Sequence, residues 1–390
     1  MAAGSTGLTS ATRAPKGVGD QRAVARIDLA ALSHNVGEIR RITGPEVRMA
    51  AVVKADAYGH GAAPIARHLV RCGVDLLATA SFEESVELRD AGIASRILVF
   101  APLSTTDASE AIRLGITPTL TSLESAAAVA AALSDATPLR VHVNVDTGMR
   151  RMGFAAGDLP KLATLLQKNR LVVEGLYSHL AHADIPGHKS IQEQRTALLA
   201  AAKTLKEAGH GPRQLHLANS AGLLADRTTH LNMVRPGIAL YGGLPHPSLA
   251  AEVNLKPVME VLTKIVQIRA IQAGEGVGYG HSWRAPRDSR IAVVPIGYGQ
   301  GYLRGLSNRG YMMIRGRLAP VVGTISMDHT MVDVTAAGAV KHGDEVVVWG
   351  GPADGAPDVM ELAERAGSIG YELLVRAGGS IPRTYVEPFG

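Results

Sequence analysis

The residue best placed to do chemistry is a lysine that closes an apolar run. Val47 to Val53 is mostly apolar and ends at Lys54, and Asp56, Tyr58, Gly59 and Gly61 follow before a helical pattern begins at Ala62. A lysine at the carboxyl end of a buried strand opens onto the active face of a parallel α/β sheet or barrel. Desolvated there, it loses its proton near neutral pH and can form a Schiff base. Tyr58, one turn further on, can bring its hydroxyl to a phosphate beside that lysine. The same residues also fit a plainer reading, a lysine snorkelling from a strand end to water with the two glycines as turn residues.

Other residues could complete such a site. Ser220 follows a candidate strand at 213–217 and starts a helical stretch, and Gly237 and Ile238 follow another strand-like run at 232–235. Hydroxyls and backbone N–H groups near a helix N-terminus suit a phosphate, and barrel phosphate sites sit after strands seven and eight. Ser220 taken alone reads equally as an N-cap. Arg235 ends the second run, just before Pro236-Gly237. Its guanidinium is donor-only and stays protonated, and the plainer alternative pairs it with a carboxylate. His179, His182, Asp184 and His188 invite a metal reading. Their spacing is loose and lacks cysteine partners, so no metal is expected.

These residues need a scaffold. Strand-like runs at 47–53, 75–80, 96–100, 116–120, 139–145, 171–180, 213–217 and 232–235 alternate with helical patterns near 62–72, 83–91, 107–114, 123–134, 158–169 and 189–209. The strands are Val/Leu/Ile-rich runs, as expected where both faces are buried. That alternation predicts a (β/α)8 TIM-type barrel over residues 22–250. After Pro247 the texture changes. Residues 256–272 alternate apolar with polar, and short β-like runs recur at 291–296, 311–315, 319–325, 330–334 and 345–349, with one helix expected at 358–365. This predicts an α/β protein with a second, C-terminal, mainly β domain over 251–390. Residues 1–21 are small, polar and aperiodic, which predicts a disordered tail without the apolar core of a signal peptide.

Composition excludes several classes. At 390 residues, with 46% apolar and 19% charged residues, the chain can bury ample core. Only 4% is aromatic and the net charge of +5 forms no basic stripe, which argues against a nucleic-acid platform. No apolar run reaches membrane-spanning length, so no membrane partner is expected. The lone Cys72 cannot form an internal disulfide and fits a reducing cytoplasm.

The decapeptide 52–61 resembles the pyridoxal 5'-phosphate (PLP) lysine segment of alanine racemases. Asp146-Thr147-Gly148-Met149-Arg150-Arg151-Met152-Gly153, Ser178-His179-Leu180-Ala181, Asn219-Ser220-Ala221, Val234-Arg235-Pro236-Gly237-Ile238, Gly278-Tyr279-Gly280, Pro295-Ile296-Gly297-Tyr298 and Ser326-Met327-Asp328 resemble further segments of that family, in order. The resemblance covers roughly residues 22 to 386. It implies that Lys54 carries PLP and that Tyr58, His179, Ser220, Arg235, Gly237 and Ile238 help bind it. It implies that Arg235 meets the pyridine nitrogen and Arg151 the substrate carboxylate. It also implies that Lys54 and Tyr279 are two opposed bases, with Tyr279 and Met327 reaching the partner's site in a head-to-tail homodimer. The expected strand at 24–30 would, by the same resemblance, join the β domain. The implied activity is racemisation of L-alanine to D-alanine for peptidoglycan.

The chain departs from the family pattern in places. Asn144 stands where many members have a lysine, often carbamylated, that buttresses the arginine matching Arg151. Asparagine cannot be carbamylated, and it also occurs in some broader-specificity racemases. Gly379 is read as the tail position that sometimes carries a phosphate-side tyrosine, so the tail is given no ligand. The competing readings are a broader-specificity or serine racemase of the same fold and a non-enzymatic PLP-binding homeostasis protein. A related decarboxylase is a further alternative. The homeostasis proteins lack a second domain, and the decarboxylases usually offer a late cysteine.

Overall fold

The computed structural model describes residues 23–133, 138–351 and 355–387, leaving the expected tail outside the described residues. Eight stretches of chain form a parallel barrel, in the order Arg48–Val52, Leu76–Thr79, Ile97–Val99, Ile116–Leu120, Leu139–Asn144, Leu171–Tyr177, Gln214–His216 and Met233–Val234. The last pairs with the first, Met233 opposite Arg48. The fourth stretch is broken by Pro118, which lacks the N–H a ladder needs. Ile116–Thr117 pairs with the third strand and Thr119–Leu120 with the fifth, so the sheet has nine hydrogen-bonded segments. The strand interiors are almost wholly buried, mostly apolar but with His142, Glu174, Gln214 and His216 buried among them.

The surrounding helices begin where short polar side chains can cap them. Ser81, Ser104 and Ser122 each accept from a backbone N–H in the first turn. Ser81 and Glu84 form a reciprocal capping box. Glu84 then does more than cap, accepting from Ala80 N at 2.7 Å and, after the neighbouring first strand, from Ala55 N at 2.7 Å.

The second domain is mainly β. A six-stranded sheet runs Arg317–Pro320, Tyr311–Ile314, Glu345–Trp349, Met259–Lys264, Ala23–Asp28, Arg383–Val386, beside a three-stranded sheet of Gln267–Ile271, Ser289–Val294 and Thr330–Asp333. Ala23–Asp28, at the start of the described chain, thus pairs antiparallel with Met259–Lys264 and parallel with Arg383–Val386. Two helices, Val359–Arg365 and Gly370–Ser380, lie on this domain. The second was not expected from the sequence, and it packs against the turn that follows Lys54. One apolar cluster runs from the barrel into this domain, including Trp349 and Tyr302.

Candidate active site

The barrel's first strand ends at Val52, and from Lys54 the chain does something rare. Ala55, Asp56, Ala57 and Tyr58 all take left-handed dihedrals, with φ of 51, 52, 55 and 53°. Each such non-glycine residue costs roughly 1–2 kcal/mol, so the turn persists only where its surroundings overdetermine it. They do. Ala57 N bonds to Val53 O and Gly59 N to Ala55 O, both at 2.9 Å. Asp56 accepts from Ala62 N at 2.6 Å and pairs with Arg383 of the second domain. A β-carbon at Gly59 would lie 2.3 Å from the Leu374 carbonyl oxygen, so the helix Gly370–Ser380 seats directly on this turn.

The turn presents Lys54 and Tyr58 to a cavity of about 420 Å³. Arg151, His179, Ser220, Arg235, Gly237 and Ile238, all expected from the sequence, line it too. Burial, and next the charge of Arg151, hold the Lys54 amine below its usual range, with Glu84 opposing. The Tyr58 ring lies tilted against that of Tyr241, 4.9 Å between centroids, and burial pushes its hydroxyl up. A β-carbon at Gly237 would lie 2.3 Å from that hydroxyl, so only glycine leaves Tyr58 its place. Ser220 Oγ accepts from Gly237 N at 2.9 Å and Ala239 N at 3.2 Å, which ties the loops after the seventh and eighth strands together.

Arg235 is buried and no carboxylate among the described residues accepts from it, which removes the plainer reading of a strand-end ion pair. Nη1 donates to His216 O at 2.8 Å and His216 Nδ1 at 3.1 Å; Nη2 donates to Ser178 O at 2.6 Å and Leu217 O at 3.2 Å, and lies 3.5 Å from His179 Nδ1. Its guanidinium carbon lies 5.0 Å over the Tyr177 ring. These bonds use only Nη1 and Nη2, leaving Nε–H as a donor. Burial brings the Arg235 pKa down to about 10. Burial, then Arg235 and Arg151, holds His179 at about 3, so its ring is neutral.

Two residues named from the sequence do not reach this cavity within one chain. Tyr279 is 74% exposed and Met327 56% exposed, both in the second domain. Thr324 Oγ1 donates to Tyr279 O, and Gly299 N to Met327 O. One residue was missed. Tyr371, at the start of the unexpected helix, lines the cavity, its ring 6.0 Å from that of Tyr58. Burial, then Asp184, raises it to about 12. The sequence reading looked for a tyrosine at Gly379; the signal was Ile369-Gly370-Tyr371-Glu372, a helix start eight positions earlier. Asn144 lines the same cavity as Arg151, with no hydrogen bond between their side chains. His182 and His188 stack at 4.3 Å and share the Ser190 hydroxyl.

Three basic side chains, Lys54, Arg151 and Arg235, and no carboxylate thus line a cavity ringed by the hydroxyls of Tyr58, Ser220 and Tyr371. Such a lining suits a ligand with several anionic oxygens. A barrel with this lysine site and an appended β domain defines a class, the two-domain barrel racemases. Residues 27–245 match the model of the alanine racemase N-terminal domain and 258–385 that of its C-terminal domain. An alanine racemase from Nostoc sp. is 38% identical over 373 residues, covering 94% of this chain and 96% of the relative. One from Syntrophobacter fumaroxidans is 40% identical over 354 residues, covering 90% and 94%. The crystal structure of alanine racemase from D-cycloserine producing Streptomyces lavendulae superposes with a TM-score of 0.89 at 34% identity, covering 95% of this chain and 98% of that one. That of Bacillus anthracis, with bound L-Ala-P, gives 0.87 at 31%, covering 96% of each. The chain belongs to the alanine racemase family. It is an isomerase, and the non-enzymatic alternative falls away. Among the described residues no helix is long and apolar enough to cross a membrane.

Proposed function

We propose that the cavity holds PLP on Lys54 and that the protein interconverts L- and D-alanine with two opposed bases, supplying D-alanine for peptidoglycan in the cytoplasm. The observation that carries this is the desolvated Lys54 facing a cavity it shares with Arg235, Arg151 and three hydroxyls. The hydroxyls of Tyr58, Ser220 and Tyr371, with the backbone of Gly237 and Ile238, would hold the phosphate. Arg235 would donate through Nε–H to the ring nitrogen. When bound, the cofactor draws electrons from the substrate Cα and makes its proton acidic.

The chain's own groups do the rest. Arg151 holds the substrate carboxylate. Lys54, its amine held below the usual range by burial and the Arg151 charge, takes or returns a proton on one face of Cα. An opposed group must serve the other face, and within one chain none of the expected residues does. We assign that role to the partner subunit's Tyr279, with Met327 beside it, in a homodimer with shared sites. The exposed Tyr279, Tyr298 and Met327 support such an interface. Arg235, still protonated at neutral pH with its pKa at about 10, keeps a proton off the ring nitrogen, which favours return of the proton to Cα over transamination. Asn144 is neutral, so a small anion or ordered water between it and Arg151 would replace a carbamate.

Chiral product analysis with L-alanine, L-serine and longer L-amino acids tests the reading. D-alanine is expected as the main product, and turnover of serine at comparable rate would favour the broader-specificity alternative. Borohydride reduction followed by mass mapping should place the cofactor on Lys54; an adduct on another lysine would reject the site.

A further inference from the structure

Arg235 meets a chain of two buried imidazoles. Its Nη1 lies 3.1 Å from His216 Nδ1, and His216 Nε2 lies 2.9 Å from His142 Nδ1. A guanidinium offers only donors, so His216 Nδ1 must present a lone pair. A neutral imidazole carries one proton, and burial keeps both rings neutral, His142 down at about 3 and His216 well below its usual value. His216 therefore carries its proton on Nε2 and donates it to His142 Nδ1. That leaves the His142 proton on Nε2. The reverse order would set a His216 Nδ1–H against the Arg235 N–H, donor facing donor.

We propose that His142 is a positioning residue: its Nδ1 lone pair fixes His216 as the Nε2–H tautomer, and His216 in turn fixes the Arg235 guanidinium beneath the cofactor site. Three observations support it independently of the hydrogen bonds. His142 is buried, and its Nε2 has no hydrogen-bond partner among the described residues. An orphaned buried donor costs stability that an apolar residue here would avoid, so the ring is retained for its other nitrogen. The neighbouring strand makes room for it: a β-carbon at Gly175, opposite His142 in the sheet, would lie 2.3 Å from His142 Nδ1. The ladder shifts register between Val141 and His142, the residue whose ring meets His216. Tyr177 then clamps the assembly, stacking on His216 at 4.8 Å while Arg235 lies over the same ring.

The proposal rests on the reading that Arg235 faces the cofactor's ring nitrogen, but its first test does not need the cofactor. Long-range proton–nitrogen NMR of histidine-labelled protein, freed of cofactor, reads each ring's tautomer. His216 is expected as the Nε2–H form near neutral pH in the wild type. His142→Leu removes the acceptor and should yield a mixture or the Nδ1–H form, whereas His142→Asn, whose amide oxygen can accept, should restore Nε2–H. In the loaded enzyme His142→Leu should lower kcat about tenfold, as loss of outer-shell partners does elsewhere, with KM little changed and a shifted visible absorption band. His142→Asn should recover most of kcat. A wild-type His216 in the Nδ1–H form would overturn the proposal, even if neither variant folds. So would wild-type tautomer and kcat in His142→Leu, or an equal loss in His142→Asn at wild-type Tm. A wild type with the expected tautomer but no racemase activity would instead reject the functional reading.

Discussion

At the scale of single residues, burial of Lys54 has a consequence for stability. In the unfolded chain its amine holds a proton up to the usual 10.5, but burial and the Arg151 charge make the folded protein release it at lower pH. Within that window the unfolded state binds more protons, so stability rises with pH there, and below it the penalty on the folded state is full. Cofactor-free Lys54→Met should therefore melt above wild type at neutral pH, with the gap narrowing toward pH 10.5. Melting curves across that range check this, and a variant less stable than wild type at every pH would refute it. Lys54 and its neighbours were legible because residue type and spacing carry their chemistry: a basic group at a strand end, a hydroxyl one turn on, glycines where side chains collide. His142 and His216 were not. Their meaning is a proton order passed between strands 74 residues apart, and nothing in either local segment records the partner. Asn144 sits between these cases. Its neutrality is plain in the sequence, but the cavity it shares with Arg151 is not.

At the scale of elements, the left-handed turn Ala55–Tyr58 depends on what leans on it. Its dihedrals are unfavourable, and Glu84, Arg383 and the backbone of the helix Gly370–Ser380 hold it. Gly59→Ala places a methyl where φ is 80° and the Leu374 carbonyl already stands. The backbone strain alone costs about 1–3 kcal/mol, and the helix must move as well. The variant should melt several degrees lower, bind PLP more weakly and expose residues near 370–380 to protease. Arg383→Ala should weaken PLP binding more mildly, since one contact of several is lost. Unchanged PLP affinity in both variants would mean that the turn holds itself. The eight barrel strands fall where strand-like runs alternating with helical patterns predicted them, and most of those runs are apolar because both faces of the strands are buried. The break at Pro118 and the helix Gly370–Ser380 did not show. Gly378 and Gly379 lower helix propensity, yet a β-carbon at Gly378 would lie 1.8 Å from Gly59 O. The packing that needs glycine thus hides the helix.

At the scale of the whole molecule, the proposed two-base reading leaves one chain without its own second base. Lys54 looks into the cavity, while Tyr279 stands exposed on the second domain, and a two-base reaction needs both at one Cα. Sequence resemblance named Tyr279, but no local pattern says which chain's lysine it meets. If two chains share sites head to tail, each site combines one chain's Lys54 with the other's Tyr279. Lys54→Ala and Tyr279→Phe homodimers should then each be nearly inactive, the latter by about 10²–10⁴-fold, the usual contribution of a general acid or base. Tyr279→Phe should still bind PLP, because Lys54 is intact. Mixing the two variants under conditions that let subunits exchange forms heterodimers in which one site carries both lesions and the other neither. Each heterodimer should regain up to half the wild-type activity. Random reassortment of equal amounts makes half the dimers mixed, so the pool should approach a quarter of wild type. Exchange itself can be followed by tagging one variant and measuring mixed dimers by native mass spectrometry. Mixed dimers with no recovered activity would show that Lys54 and Tyr279 meet within one chain or that Tyr279 is not the second base. Activity in the Tyr279→Phe homodimer separates these outcomes: near wild-type rates reject the base, whereas a steep loss keeps the base and rejects the shared site.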